Sequence, residues 1–345
     1  MRPMLINNSI NILVTVLTLT LCTSAGATES DYHLLKRLHL GGDGGWDCLT
    51  IDGPTRRLYL PRGHHVQVVD LTTDKVIGDI PDTPGVHGIA LATELHRGFT
   101  SNGKGNTVTI FDLKSLKITG QVKCGSNPDA IVYDPSTKRI VVGNGRSHDA
   151  TVIDAASGAV LKTIPLGGKP EFAVADGSGR VFINIMDTAE VATIDCRILG
   201  VTKRFSLTPC EEPTGMALDP KHHRIFSGCR NRLMSVLDSV TGKLLATIPI
   251  GGGVDGVGYD PVRKLAFSAN GDGTLTVIRE ATPGGFTPMT LVTLPGARTM
   301  AIDPVTHLLY LPTALFEALP ESGKSSEKLR PVMVKDSFEL LVVGQ

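Results

Sequence analysis

The chain has 345 residues, with 34 basic and 34 acidic side chains and a formal charge of zero. Neutrality removes nonspecific nucleic-acid binding as a first expectation. Only 5% of residues are aromatic, whereas 38 glycines and 21 prolines are present, so a turn-rich β architecture fits and a bundle of long helices does not.

At the amino terminus, Arg2 precedes an apolar, Thr-containing run from Ile10 to Cys22, and Ala25, Gly26 and Ala27 have the small-x-small character of a cleavage site. The reading is a signal peptide over 1–27, cleaved after Ala27, with export to a periplasmic or extracellular space. The apolar stretch is too short for stable membrane spanning, so no transmembrane span is expected in the mature chain. Leu21 before Cys22 is too large for the usual lipoprotein site, which leaves lipid anchoring as the minor option.

From residue 50 onward one pattern recurs seven times. Its turn anchor falls at Asp52, Ala92, Asp134, Asp176, Asp219, Asp260 and Asp303, at intervals of 40, 42, 42, 43, 41 and 43 residues. A second landmark, the end of a short apolar run, falls at Asp70, Asp112, Asp154, Asp195, Asp238 and Arg279. Two markers with one period identify a repeat architecture. Within each period an apolar segment meets an Asp-Pro or Asp-Gly type turn, where Pro fixes φ and Asp can bond its own backbone. Three further short strands follow.

Four-stranded sheets of this kind bury both faces only if stacked radially. The fold class is therefore all-β, a seven-bladed β-propeller of four-stranded antiparallel blades occupying 28–345 as a single domain. The seventh unit lacks its fourth strand, and the stretch 32–42 matches the fourth strand at 159–168. The N-terminal strand 32–41 is thus expected to complete the C-terminal blade beside 338–344. Residues 314–337 interrupt that blade as a surface loop insertion. A tolerated insertion is favoured there over a lid on the channel.

Several repeats carry a strand ending in Asn followed by a Val/Ile-rich strand: Phe99-Thr100-Ser101-Asn102 before Val108-Thr109-Ile110-Phe111-Asp112, Val141-Val142-Gly143-Asn144 before Thr151-Val152-Ile153-Asp154, and Phe267-Ser268-Ala269-Asn270 before Leu275-Thr276-Val277-Ile278. Fourth strands end in Ile164-Pro165-Leu166-Gly167 and Ile248-Pro249-Ile250-Gly251. These motifs resemble the YVTN β-propeller repeat family over essentially the whole mature chain. Cys229, Arg62 and Pro312 stand where that pattern has Asn. The resemblance implies an exported or cell-surface seven-bladed propeller and no particular activity.

Five positions before each anchor stand Asp47, His87, Asp129, Glu171, Thr214, Asp255 and Arg298, expected as a ring around one channel mouth. Loops after the second strands are expected to bring Arg62, His64, Asn102, Asn144, Asn184, Arg230 and Asn270 to the same face. Such a ring is either a polar pocket for a small solute or hard cation, or a hydrated mouth whose polar groups face water. No cofactor is expected; Ca²⁺ or Mg²⁺ is the one candidate ion.

The histidine pairs His64, His65 and His222, His223 fall in turns. Neither a haem-attachment nor a Cys-x-x-Cys zinc pattern occurs, and no nucleophile elbow is present. The mature chain keeps five cysteines: Cys48, Cys124, Cys196, Cys210 and Cys229. Pairing about the Asp219 turn sets Cys229 opposite Thr214, so Cys210 and Cys229 are either a disulfide or two thiols at one end of a hairpin. Trp46 reads as a packing residue.

With no catalytic motif, the leading function is a binding and interaction scaffold presenting its loop-rich mouth to a protein, glycan or small molecule, with nucleic acid disfavoured. The alternative is a metal-assisted, lactonase-like hydrolase with a cation in the axial channel.

Overall fold

In each repeat the second and third strands carry runs of apolar residues with almost no solvent exposure, such as Ile140, Val141 and Val142 beside Val152 and Ile153. A strand buried on both faces needs a neighbouring sheet on each side. The computed structural model, which describes residues 31–282, 284–317 and 332–345, provides this by a ring of seven four-stranded antiparallel sheets. The signal peptide expected over 1–27 lies outside the described residues, as does 318–331 of the insertion.

Blades 1 to 6 span 50–80, 86–123, 128–165, 170–206, 213–249 and 254–292, each running from the channel outward in chain order. Blade 7 is composite. Its strands Ala301–Ile302, Leu309–Thr313 and Glu339–Gly344 are joined by the N-terminal strand His33–His39, in the order that puts the N-terminal strand outermost. His39 pairs with Glu339 and His33 with Gly344. Arg37 donates from Nε to Glu339 Oε2 at 2.7 Å, with its second nitrogen on the other carboxylate oxygen. The expected clasp is the observed one.

The apolar core lies between blades, not within them. Phe267 and Leu275 of blade 6 pack with Leu311 and Leu341 of blade 7, and Leu340 and Val342 of blade 7 pack with Leu58 and Leu60 of blade 1. That second cluster closes the circle. Outer strands such as Val160–Pro165 are largely exposed, because nothing covers them.

The turn aspartates do more than shape their own turns. Asp134 accepts from the Thr137 amide at 3.0 Å and also from the Gly179 amide of the next blade at 3.1 Å. Asp260 accepts from the Val262 and Arg263 amides and pairs with His307 of blade 7 at 2.8 Å. Each such carboxylate is almost fully buried, so these bonds supply the donors that its burial requires.

The insertion leaves blade 7 as a short ladder in which Phe316 pairs with Met333. Trp46 sits against it, with ring centroids 5.9 Å from Phe316 and 5.5 Å from Phe338. It is 7% exposed, in keeping with a packing role. Among the described residues no helix is long and apolar enough to cross a membrane.

Candidate functional site: a collar at the channel mouth

Five innermost strands carry a register shift near their start, between Val86 and Ile89, Pro128 and Ile131, Pro170 and Ala173, Pro213 and Met216, and Val254 and Gly256. One extra residue on the inner strand faces a single residue on its partner, which is a β-bulge, a device that re-aims side chains. His87, Asp129, Glu171, Thr214 and Asp255 all lie inside these bulges. In blades 1 and 7 the innermost strands are shorter, and Asp47 and Arg298 precede them.

The result is a cavity of about 250 Å³ lined by Asp47, His87, Asp129, Glu171, Thr214 and Asp255. Six of the seven expected ring positions therefore meet. Arg298 joins through Asp255, to which its Nε donates at 2.9 Å. Thr214 is committed to the framework, because its hydroxyl donates to the Val254 carbonyl of the next blade at 2.8 Å.

The second set of expected residues is placed differently. Asn102, Asn144 and Asn270 are fully buried, and none lines the cavity. Asn102 Nδ2 donates to Thr107 and Thr109, Asn144 Nδ2 to Asp149 and Thr151, and Asn270 Nδ2 to Thr274 and Thr276. These asparagines brace the hairpin between second and third strands, since an amide at the end of a two-face-buried strand must find partners locally. Asn184 likewise donates to the Thr214 carbonyl at 2.8 Å.

Arg62 is 1% exposed. It donates to the carbonyls of Gly41 and Asp43 and lies over the Phe338 ring, 3.6 Å from its centroid. Of that set, only Arg230 reaches the cavity lining.

The electrostatics of the collar follow from four carboxylates gathered in a partly enclosed space. Burial pushes Asp129 up to about 7, with the charges of Asp47, Glu171 and Asp255 adding to the rise and His87 opposing it. Asp255 rises to about 6, again chiefly by burial, with Asp47 adding and Arg298 opposing. For His87, burial works against the imidazolium, but the Asp47 hydrogen bond and the Asp129, Asp47 and Glu171 charges outweigh it and lift the ring to about 9. His87 Nδ1 is 2.7 Å from Asp47 Oδ2 and 3.7 Å from Asp129 Oδ1.

Two further collar residues were not singled out from the sequence. Lys169 pairs with Glu171; the signal was a basic residue two positions before a ring carboxylate. Cys48, next to Asp47, lines the cavity. Burial and the carboxylates of Asp47, Asp255 and Asp129 hold its thiol well above the usual range, so it is no ready nucleophile.

Cys210 and Cys229 are joined as a disulfide, with Cα atoms 5.7 Å apart. The expected register is corrected here: Cys229 faces Pro213, not Thr214. The bulge over Thr214 and Gly215 shifts the pairing by one and brings the Cys210 end of the hairpin closer.

No protein-family model and no curated protein matches the chain. The geometry of the collar therefore carries the functional reading.

Proposed function

We propose that this chain is an exported propeller of the YVTN-repeat type and serves as a binding scaffold, using its collar to hold a cation-bearing group of a small molecule, protein or glycan. The observation that carries this reading is the convergence of Asp47, His87, Asp129, Glu171 and Asp255 on one cavity. Gathering four carboxylates in one partly enclosed cavity without a function would be costly, since each loses solvation and faces like charges. The same acidity disfavours nucleic acid at this face. Export is supported by the leader-like sequence at 1–27 and by the Cys210–Cys229 disulfide, a bond typical of oxidising compartments. Support for the repeat type comes from the recurrent Asn and its bracing bonds in three blades.

A thermal-shift panel of small amines, amino acids and oligosaccharides tests the reading, run on the wild type and on an Asp47→Asn, Asp129→Asn double variant. Compounds that stabilise only the wild type support it. Equal shifts in both proteins place binding elsewhere.

The alternative, a metal-assisted lactone hydrolase, draws on the closeness of Asp47, His87 and Asp129. Metal-dependent turnover of an ester or lactone panel, lost in Asp129→Ala, would favour it over the scaffold.

A further inference from the structure

The collar sorts its own charges. Asp255 is engaged by Arg298 and Glu171 by Lys169. Thr214 is tied to Val254. What remains is a set of three from three successive blades: Asp47, His87 and Asp129. One ligand atom from each lies within 4.8 Å of the others.

The imidazole is fixed in its facing. A Cβ at position 103 would stand 2.6 Å from His87 Nε2, so that nitrogen is packed against Gly103. Nδ1 is left toward the two carboxylates, 2.7 Å from Asp47 Oδ2 and 3.7 Å from Asp129 Oδ1. Asp129 has no closer charged partner than this imidazole among the described residues. Both carboxylates and the ring also line the open cavity, which leaves room for water or a ligand atom on the far side.

This set differs from an acidic cluster in its donor chemistry. All-oxygen ligands suit Ca²⁺ and Mg²⁺, whereas an imidazole nitrogen with two carboxylates suits Mn²⁺, Fe²⁺ or Zn²⁺. Two carboxylates and a neutral imidazole carry two negative charges, which one divalent ion balances. Binding would displace the Nδ1 proton to solvent, and bond lengths of about 2.0–2.2 Å set donors about 3.0–3.4 Å apart, so Nδ1 and Asp47 Oδ2 at 2.7 Å part slightly while Asp129 Oδ1 at 3.7 Å moves in.

We propose that Asp47, His87 and Asp129 form a mononuclear site for a divalent transition metal, with its remaining coordination positions open to the channel mouth. The proposal rests on the reading of the collar as a cation site and narrows it to an ion class. It revises the expectation of Ca²⁺ or Mg²⁺ drawn from the sequence.

The test is calorimetric titration of the tag-free, chelator-stripped full mature chain with Mn²⁺, Zn²⁺, Ca²⁺ and Mg²⁺ in turn. The expected result is one equivalent of Mn²⁺ or Zn²⁺ bound at least about tenfold more tightly than Ca²⁺. Loss of an outer-shell partner alone typically costs about 10–100-fold, so His87→Gln and Asp129→Asn should each weaken binding at least that much. Asp154→Asn, at a turn carboxylate outside the collar, should leave it within about threefold of wild type. The Co²⁺ absorption bands should change in His87→Gln, a readout that a general loss of collar charge does not mimic. Circular dichroism of each variant checks that the fold is kept.

Equal affinity in wild type and His87→Gln would overturn the proposal, as would a preference for Ca²⁺ or no heat at millimolar ion. If metal fails while small amines still stabilise the wild type selectively, the ion site falls and the scaffold reading stands. Failure of both panels removes both.

Discussion

Arg56 of the first blade donates across the ring closure to Asp303 of the seventh, and Asp303 is completely buried. The same carboxylate holds its own turn through the Val305 amide and the Thr306 hydroxyl. One residue thus shapes a turn and locks the last blade to the first. Arg56→Ala should cost about 1–3 kcal/mol, because it leaves a buried carboxylate short of a partner while Arg56 itself is partly solvent-screened. Urea unfolding midpoints measure this. A change within about 0.5 kcal/mol, the range of ordinary surface substitutions, would show that the closure does not depend on the pair.

The clasp itself makes a stronger demand. Residues 338–345 carry the strand that lies between Leu309–Thr313 and His33–His39. Their deletion removes Phe338, Leu340, Leu341, Val342 and Val343 from two inter-blade clusters. It also leaves two unpaired edges. The unfolding midpoint should fall sharply, and deletion of 31–41 should produce a smaller loss, since that strand is mostly exposed. An unchanged midpoint after the C-terminal deletion would contradict the composite blade.

Much of this was legible because repetition amplifies weak signals. A single Asp-Pro turn says little, but Asp134, Asp219, Asp260 and Asp303 at one period fix the blade count and the unit that lacks a strand. The ring positions could be read for the same reason: they keep a constant offset from those anchors. The role of Asn102, Asn144 and Asn270 could not. Spacing places them near the mouth, yet whether an amide faces the channel or the hairpin depends on acceptors on the next strand, Thr107 and Thr109, Asp149 and Thr151, or Thr274 and Thr276. The bulges were equally hidden, since a one-residue shift leaves the period intact. Arg62 marks where the pattern fails for a physical reason. It stands at the closure seam, where Phe338 and the carbonyls of Gly41 and Asp43 offer a guanidinium what an Asn could not reach.

The asparagine assignment separates stability from binding. Asn270→Ala removes donors to Thr274 and Thr276 and the acceptor for the Ser268 hydroxyl, all in a buried setting. It should cost about 1–3 kcal/mol of stability. Any ligand of the collar should bind the folded variant as it binds the wild type. A selective loss of binding at unchanged stability would return Asn270 to the site.

The disulfide closes a loop with a sequence separation of 19 residues. On chain-entropy grounds this contributes about 3 kcal/mol. Thiol counting on the denatured chain from residue 28 onward should find three free thiols, from Cys48, Cys124 and Cys196. Reduction should expose two more and lower the urea midpoint. Five thiols without reductant would remove both the bond and one support for export.

Acid stability is set by aspartates that share one device. Asp70, Asp112, Asp154 and Asp238 each accept the backbone amide three residues on, from Thr73, Ser115, Ser157 and Thr241. That bond is the leading cause that holds their carboxyls below the ordinary range. In Asp303, burial pulls upward, but the bonds from Arg56, Thr306 and Val305 prevail and its pKa is also lowered. A folded-state pKa below the unfolded value means that the unfolded chain binds more protons in acid. The stabilisation is therefore complete above the unfolded value of about 4 and is lost as pH falls through the folded values. Urea midpoints should drop steeply between about pH 4 and pH 2. Asp154→Asn, which keeps an acceptor for the Ser157 amide but cannot titrate, should lower stability at pH 7 and make the acid limb shallower. An acid limb of unchanged slope in Asp154→Asn, Asp238→Asn and the double variant would show that these turns do not govern it.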